Sequence, residues 1–167
     1  MRKFIMTDPQ NSWLTHESRV VYDNPWIQVR EDRTTTPAGT PGRYGVVSMK
    51  HLALGVVPLD ADGCTWLVGQ WRYPLGAYSW EIPEGGGRLD EDPLLAIQRE
   101  LREETGLTAA RWQRLLTLHN SNSVTDEAGA IYLAEEICAG GPASPEETEA
   151  LTLRRLPLAE ALAMIDR

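Results

Sequence analysis

The segment from Asp92 to Gly106 constrains this chain more than any other. Asp92-Pro93 combines a helix N-cap with a proline at the first helical position, and Gly106 supplies a stop. Leu94, Leu95, Ala96, Ile97 and Leu101 give the intervening helix an apolar face. Glu100, Glu103 and Glu104 lie at i, i+3 and i+4, so they share another face. Three carboxylates so placed repel one another. Two readings stay open on spacing alone. One is a solvated acidic face with Arg99 and Arg102 nearby. The other is a set of hard oxygen donors for a divalent cation such as Mg²⁺.

The charge of the chain follows the same segment. The 167 residues carry 24 Asp+Glu against 16 Lys+Arg, a net of −8. Residues 81–104 hold eight acids (Glu81, Glu84, Asp90, Glu91, Asp92, Glu100, Glu103, Glu104) and three bases (Arg88, Arg99, Arg102), a net of −5. Residues 135–149 add Glu135, Glu136, Glu146, Glu147 and Glu149 without a base. The remainder is slightly basic. A nucleic-acid binder that neutralises phosphates needs a basic face, and this distribution argues against one. The 42% hydrophobic share supports one globular core with at most a small appendage. No apolar run approaches the ~20 residues of a membrane span. The N-terminal MRKFIM meets Thr7-Asp8-Pro9 before a signal-like apolar region can form, so a cytoplasmic protein is expected. Cys64 and Cys138 are too few and too far apart for a disulfide framework or a metal knuckle, and read as reduced, partly buried thiols.

Ahead of the helix the sequence is rich in strands. Residues 1–16 read as loose, and residues 19–34 as two strands split at Asn24-Pro25. A Gly/Pro turn over 37–42 leads to a return strand at 44–49. Residues 52–59 and 64–71 form a hairpin through Asp60-Ala61-Asp62-Gly63. A short strand at 78–82 precedes a glycine loop at 85–87. Strands are expected at 111–119, 129–137 and 149–156, and a final helix from Pro157. The fold expected is α/β, in two parts: an N-terminal strand appendage over 1–50 and a main domain over 51–167.

The helix belongs to a longer pattern. Gly85, Glu91, Arg99-Glu100-Leu101-Arg102-Glu103-Glu104-Thr105-Gly106-Leu107 match G-x5-E-x7-R-E-U-x-E-E-x-G-U at every specified position, U being a bulky aliphatic residue. Average residue usage produces such a match about once in 10⁹ starting positions. The sequence resembles the Nudix hydrolase family, with the box over 85–107. The resemblance implies a Nudix-like α/β/α sandwich of mixed sheet with a small N-terminal antiparallel sheet. It implies that Glu100, Glu103 and Glu104 coordinate Mg²⁺ or Mn²⁺ bridging a diphosphate, where metal polarises phosphoryl oxygens and lowers the pKa of an attacking water. The residue before the box glycine, here Glu84, joins them as a ligand through its carbonyl in several members. Gly85 and Gly106 serve the backbone of the motif, while Glu91 can pair with Arg99 and fix loop to helix.

Beyond the box, residues 13–165 resemble the ADP-ribose and nucleoside-diphosphate-sugar pyrophosphatase branch. The N-terminal sheet, the stretch from Gly69 to Pro74 and Trp80-Glu81-Ile82-Pro83-Glu84-Gly85-Gly86-Gly87 carry that likeness. The branch usually has alanine where Glu84 stands, so this chain has one more carboxylate beside the metal ligands. The resemblance makes Trp26, Arg43 and Arg72 candidate substrate contacts. Trp26 could stack on a base and Arg43 could sandwich it or meet a phosphate. Asp126 and Glu127 are candidates from the loop between two strands. Glu147 and Glu149 are candidates for a general base or additional ligand on the acidic loop 140–148 and its flank. The branch further implies a homodimer through the N-terminal strands. Its C-terminal helix normally runs further than residues 157–167 allow, as in a short or trimmed terminus.

The function expected is a Mg²⁺-dependent pyrophosphohydrolase. It would cleave a nucleoside diphosphate sugar (ADP-ribose, or a hexose such as GDP-mannose or ADP-glucose) to NMP and sugar phosphate. The alternatives are a non-catalytic module that senses nucleotide sugars and a Nudix enzyme for another nucleoside diphosphate derivative. Intact box glutamates disfavour the sensor.

Overall fold

The computed structural model describes residues 11–145 and 150–165. The chain divides into two compact units, one comprising residues up to Met49 with Ser121–Asp126, the other Lys50–Asn120 and Glu127 onward.

In the first unit, β1 (Leu14–Asp23), β2 (Ile27–Thr35) and β3 (Pro41–Met49) form an antiparallel sheet in that order. The first strand starts at Leu14, inside the stretch expected to be loose, because its backbone pairs with β2 along its length through two register shifts. The Asn24 side-chain Oδ1 accepts from the backbone N–H of Trp26 (2.8 Å) and of Ile27 (2.7 Å), which closes the turn at Pro25. Every residue of β1 is exposed, on both faces of the strand. Residues 121–126 join this unit by main-chain bonds: Val47 N–H donates to Val124 at 2.9 Å and Asp126 N–H to Val47 at 3.3 Å.

The second unit holds two sheets. β7 (Glu84–Arg88), β4 (His51–Pro58), β9 (Ala128–Ala139) and β8 (Leu107–His119) form a mixed sheet in that order, with β4 and β9 parallel and the other neighbours antiparallel. β10 (Thr152–Pro157), β5 (Cys64–Arg72) and β6 (Ala77–Glu81) form an antiparallel sheet. Helix α1 (Pro93–Thr105) packs on β7, β4 and β8, and α2 (Leu158–Ile165) packs on β10 and β5. This is the mixed α/β architecture with a small antiparallel sheet that the sequence implied.

Three local outcomes differ from the sequence reading. The glycines at 85–87 form β7, not a loop, with Gly85, Gly86 and Gly87 opposite Leu54, Ala53 and Leu52. The reason is close packing of the helix. A Cβ on Gly87 would lie 2.7 Å from a Leu54 methyl and 3.3 Å from the Ala96 methyl, so a bare backbone lets α1 approach the strand. Pro157 ends β10, and α2 begins at Leu158. Leu95 is 59% exposed and does not join the core face.

The ends of α1 follow their signals. The Asp92 carboxylate accepts from Leu94 N–H at 2.9 Å, and Gly106 takes φ +70° while its N–H bonds Arg102. Ala96, Ile97 and Leu101 are fully buried against Leu54, Val56, Ala130, Tyr132 and Ala134. Burial of Ile97 and of Leu101 is worth about 1.5–3 kcal/mol each. That core fixes the helix rotation, and with it the direction of the glutamate face. Both cysteines are free; Cys64 is half-buried as expected, whereas Cys138, expected to be partly buried, is exposed near the end of β9. Among the described residues no helix is long and apolar enough to cross a membrane.

Candidate active site

The acidic face of α1 meets the start of β7. A Cβ on Gly85 would fall on the Glu100 carboxylate, so this glycine exists to let that side chain lie across the strand. Glu104 is buried at 4% exposure, and its Oε2 accepts from the Glu84 N–H at 3.0 Å. One box glutamate therefore ties the helix to the strand, while Glu100 and Glu103 stand further out, at 18% and 39% side-chain exposure.

Arg99 runs alongside. Its Nη1 donates to Glu91 at 2.5 Å, Nη2 to Glu100 at 3.4 Å, and Nε lies 3.9 Å from Glu103. Its hydrogen bond, against a smaller opposing effect of burial, holds the Glu91 carboxyl below the usual range. Glu91 also accepts from Arg88 N–H at 3.4 Å, so it anchors the turn after β7 to the helix.

A second guanidinium sits at the end of β5. Arg72 Nε donates to Glu81 at 2.9 and 3.1 Å, and Nη2 donates to Glu81 at 2.6 Å and to Glu84. Burial pushes the Glu84 carboxyl up, and the charges of Glu81 and Glu127 add to this against the opposing pull of Arg72. Burial also opposes ionisation of Glu81, but bonds from Arg72, Ser79 and Gln70 outweigh it and its carboxyl is lowered. Glu81 is one of the acids of the 81–104 segment and is not among the candidate site residues of the sequence. Here it is the main partner of Arg72, and a sequence signal for that was its place just ahead of Pro83-Glu84-Gly85.

The remaining candidates separate. Glu127, at the head of β9, accepts from Asn120 at 2.9 Å and belongs to the unit of the box. Its neighbour Asp126 belongs to the N-terminal unit, where its carboxylate accepts from Met49 N–H at 3.0 Å. Trp26 and Arg43 are also in that unit. Trp26 is 65% exposed at the β1–β2 turn, and Arg43 lies 3.5 Å from Glu31. Glu147 and Glu149 lie outside the described residues.

The donor set consists of the carboxylates of Glu100, Glu103 and Glu104 and the main-chain carbonyl of Glu84, all oxygen donors of the kind that Mg²⁺ and Mn²⁺ take. Among the described residues, however, no three His, Cys, Asp or Glu side chains are gathered closely enough to hold a cation. Arg99 draws on Glu100 and Glu103, and Arg72 on Glu84. The residues fit a divalent metal in the kind of donor they offer, and in this arrangement the two arginines take the carboxylate bonds that a cation would take.

Residues 49–167 match the NUDIX domain, and residues 13–47 match the nucleoside diphosphate sugar hydrolase N-terminal domain. An ADP-ribose pyrophosphatase of Mycobacterium tuberculosis is 32% identical over 166 residues, covering 95% of this chain and 77% of that protein. A CMP-5'-(N-acetyl-N-hydroxy-3-aminopropyl)phosphonate hydrolase of Streptomyces rubellomurinus is 32% identical, covering 92% and 73%. In fold, the chain is similar to a solved ADP compounds hydrolase, with a TM-score of 0.83 at 20% identity over 96% of this chain and 86% of that one. Nudix hydrolases generally use divalent metal ions. A domain match across most of the chain, together with a third of positions shared along most of a pyrophosphatase, makes this protein a member of the Nudix hydrolase family.

Proposed function

We propose that the chain is a Mg²⁺- or Mn²⁺-dependent pyrophosphohydrolase acting on a nucleoside diphosphate sugar, with ADP-ribose as the first candidate and GDP-mannose or ADP-glucose as hexose alternatives. The observation that carries the reading is the face of α1, where Glu100, Glu103 and the strand-anchored Glu104 stand beside Gly85 on a rigid helix. Glu100, Glu103 and Glu104, with Glu84 beside them, would hold the metal. When bound, the metal polarises phosphoryl oxygens and lowers the pKa of a coordinated water.

The residues of the chain supply the rest. Arg72 offers a guanidinium for a phosphate oxygen, and its bidentate bond to Glu81 fixes its plane. Glu127 adds negative charge next to Glu84 and is braced by Asn120. In the reaction, water oxygen bonds to one phosphorus while the bridging P–O bond breaks. The water proton passes to a carboxylate, for which Glu147 and Glu149 are the candidates. The products are NMP and sugar phosphate. Trp26 presents an exposed aromatic face suited to a base.

A homodimer through the N-terminal sheet belongs to the same proposal. Leu14, Val20, Val21 and Tyr22 of β1 are 50–58% exposed, an apolar edge that a second copy would cover. A second reading, a nucleoside diphosphate derivative other than a sugar ester, is favoured by the likeness to the CMP-phosphonate hydrolase. A panel of ADP-ribose, GDP-mannose, ADP-glucose and CMP-linked phosphonates, assayed for mononucleotide release with Mg²⁺ or Mn²⁺, decides. Release of NMP with sugar phosphate from the sugars supports the first reading. Turnover confined to the phosphonates supports the second, and no release from any compound refutes both.

A further inference from the structure

Arg72, Glu81 and Glu84 come from three strand ends that converge: the last residues of β5 and β6 and the first of β7. One guanidinium therefore faces two carboxylates, and the two are not equivalent. Glu81 binds it side-on through Nε and Nη2 and is 19% exposed. Glu84 shares only Nη2, which Glu81 already uses, and is 43% exposed. Nη1 donates to no other described residue. The two-point, shielded pair holds the arginine in place. The single-point pair, whose carboxylate is the more exposed of the two, can be exchanged, since an incoming anion offers the guanidinium the same charge-assisted bond.

We propose that Glu84 is a resident anion on Arg72: it occupies the guanidinium edge that an anionic group of the substrate takes, and by competing for that edge it sets substrate affinity. The inference rests on the reading of the substrate as an anionic diphosphate ester. Glu84 is a positioning residue in this scheme. Its backbone N–H is held by Glu104 at 3.0 Å, so its side chain starts from a fixed point between the helix face and the arginine. Two effects follow when a phosphate displaces it. The substrate gains a charge-assisted bond already paid by the loss of another, and it approaches a cluster in which Glu81, Glu84 and Glu104 outnumber Arg72 in charge. Removing the charge of Glu84 lifts the first penalty and lessens the second, to which Glu81 and Glu104 still contribute. Alanine, usual at this position in the branch, leaves the guanidinium edge uncontested.

The test is equilibrium binding of ADP-ribose to the full chain by calorimetry in EDTA, which separates affinity from turnover. E84Q keeps the shape and loses the charge, and its Kd is expected to fall about three- to tenfold, with a smaller gain at 300 mM salt than at 50 mM, where the Debye length shortens from about 14 to about 6 Å. E84D keeps the charge and is expected to bind within about twofold of the parent. R72A is expected to weaken binding, and the E84Q gain is expected to shrink by half or more in the R72A background, because competition needs the contested group. A thermal midpoint measured for each variant shows that it is folded, and a purely structural role for Glu84 would move that midpoint without tightening Kd. Unchanged or weaker binding by E84Q, or an equal gain with and without Arg72, overturns the inference. If R72A weakens binding and E84Q does not strengthen it, only this inference falls. If the folded parent does not bind ADP-ribose in EDTA, the inference falls, and the proposed substrate falls with it only if mononucleotide release with Mg²⁺ or Mn²⁺ is also absent.

Discussion

Gly85→Ala isolates the positioning of one glutamate from the stability of the fold. The added Cβ would lie 2.6 Å from Glu100 Cγ and nearer still to its carboxylate carbon. The obstruction is a side chain, not backbone, and Gly85 needs no left-handed φ, so the strand can keep its path. Glu100 must then swing away by about 1 Å or more, since Cβ contacts under 3 Å do not persist. It would give up its 3.4 Å contact with Arg99, an interaction worth about 0.5–1 kcal/mol. Loss of glycine flexibility in the unfolded chain returns about 0.4–1 kcal/mol. The net stability change is therefore under about 1 kcal/mol, or roughly 2–4 °C in thermal midpoint for a chain this size. A displacement of that order at a catalytic constellation costs about 100-fold in rate, near 2.7 kcal/mol in the barrier. Thermal unfolding by fluorescence and mononucleotide release from ADP-ribose measure the two quantities on one sample. Gly45→Ala is the control, because a Cβ there meets nothing within 4 Å. Full activity in Gly85→Ala at an unchanged midpoint would refute the argument that the glycine sets Glu100. A midpoint lowered by 10 °C or more would show that the strand, and not the glutamate, absorbs the strain.

If the proposed donor set holds a divalent metal, the metal should stabilise the protein, because it would bind the native carboxylates and not the unfolded chain. At 100 times its Kd the gain is about 2.7 kcal/mol, several degrees in midpoint, and a midpoint that does not move with Mn²⁺ or Mg²⁺ counts against the donor set. Acid sensitivity should depend on the Glu91–Arg99 bond. The folded Glu91 carboxyl is held below its ordinary value, so its stabilisation is complete above the ordinary carboxylate range and is lost as pH falls through the lower folded value. Glu91→Gln should flatten the stability profile across that acid window, and an unchanged profile by denaturant titration would contradict the pair's role. Val20→Lys on the exposed strand β1 should convert a dimer of twice the 18.6 kDa chain mass into a monomer with the same circular dichroism, whereas a monomeric parent in analytical ultracentrifugation would remove the dimer from the proposal.

The sequence alone determined the helix and which of its acids share a face. Asp92, Pro93 and Gly106 act through bonds made within a few residues, and a helical repeat places Glu100, Glu103 and Glu104 on one face whatever surrounds them. Main-chain patterns with local causes were legible for the same reason: the Asn24-Pro25 turn and the Asp60–Gly63 hairpin, whose Asp60 carboxylate accepts from Asp62 and Cys64 at 2.9 Å, close over short spans. What only tertiary structure decided was which partner each side chain meets across the chain. The run of glycines at 85–87 carries loop composition, and it became strand β7 because β4 offered a ladder and α1 needed a surface without side chains. Asp126 and Glu127 are neighbours in sequence, and main-chain bonds to Val47 and a side-chain bond from Asn120 draw them into different units. Arg72, Glu81 and Glu84 are up to twelve residues apart, and the ends of three strands bring their charges within hydrogen-bonding reach. Spacing along a helix is a property of the backbone and can be counted from the sequence. Contact between strand ends depends on sheet order and register, which are set by the burial of the whole core around Ile97 and Leu101.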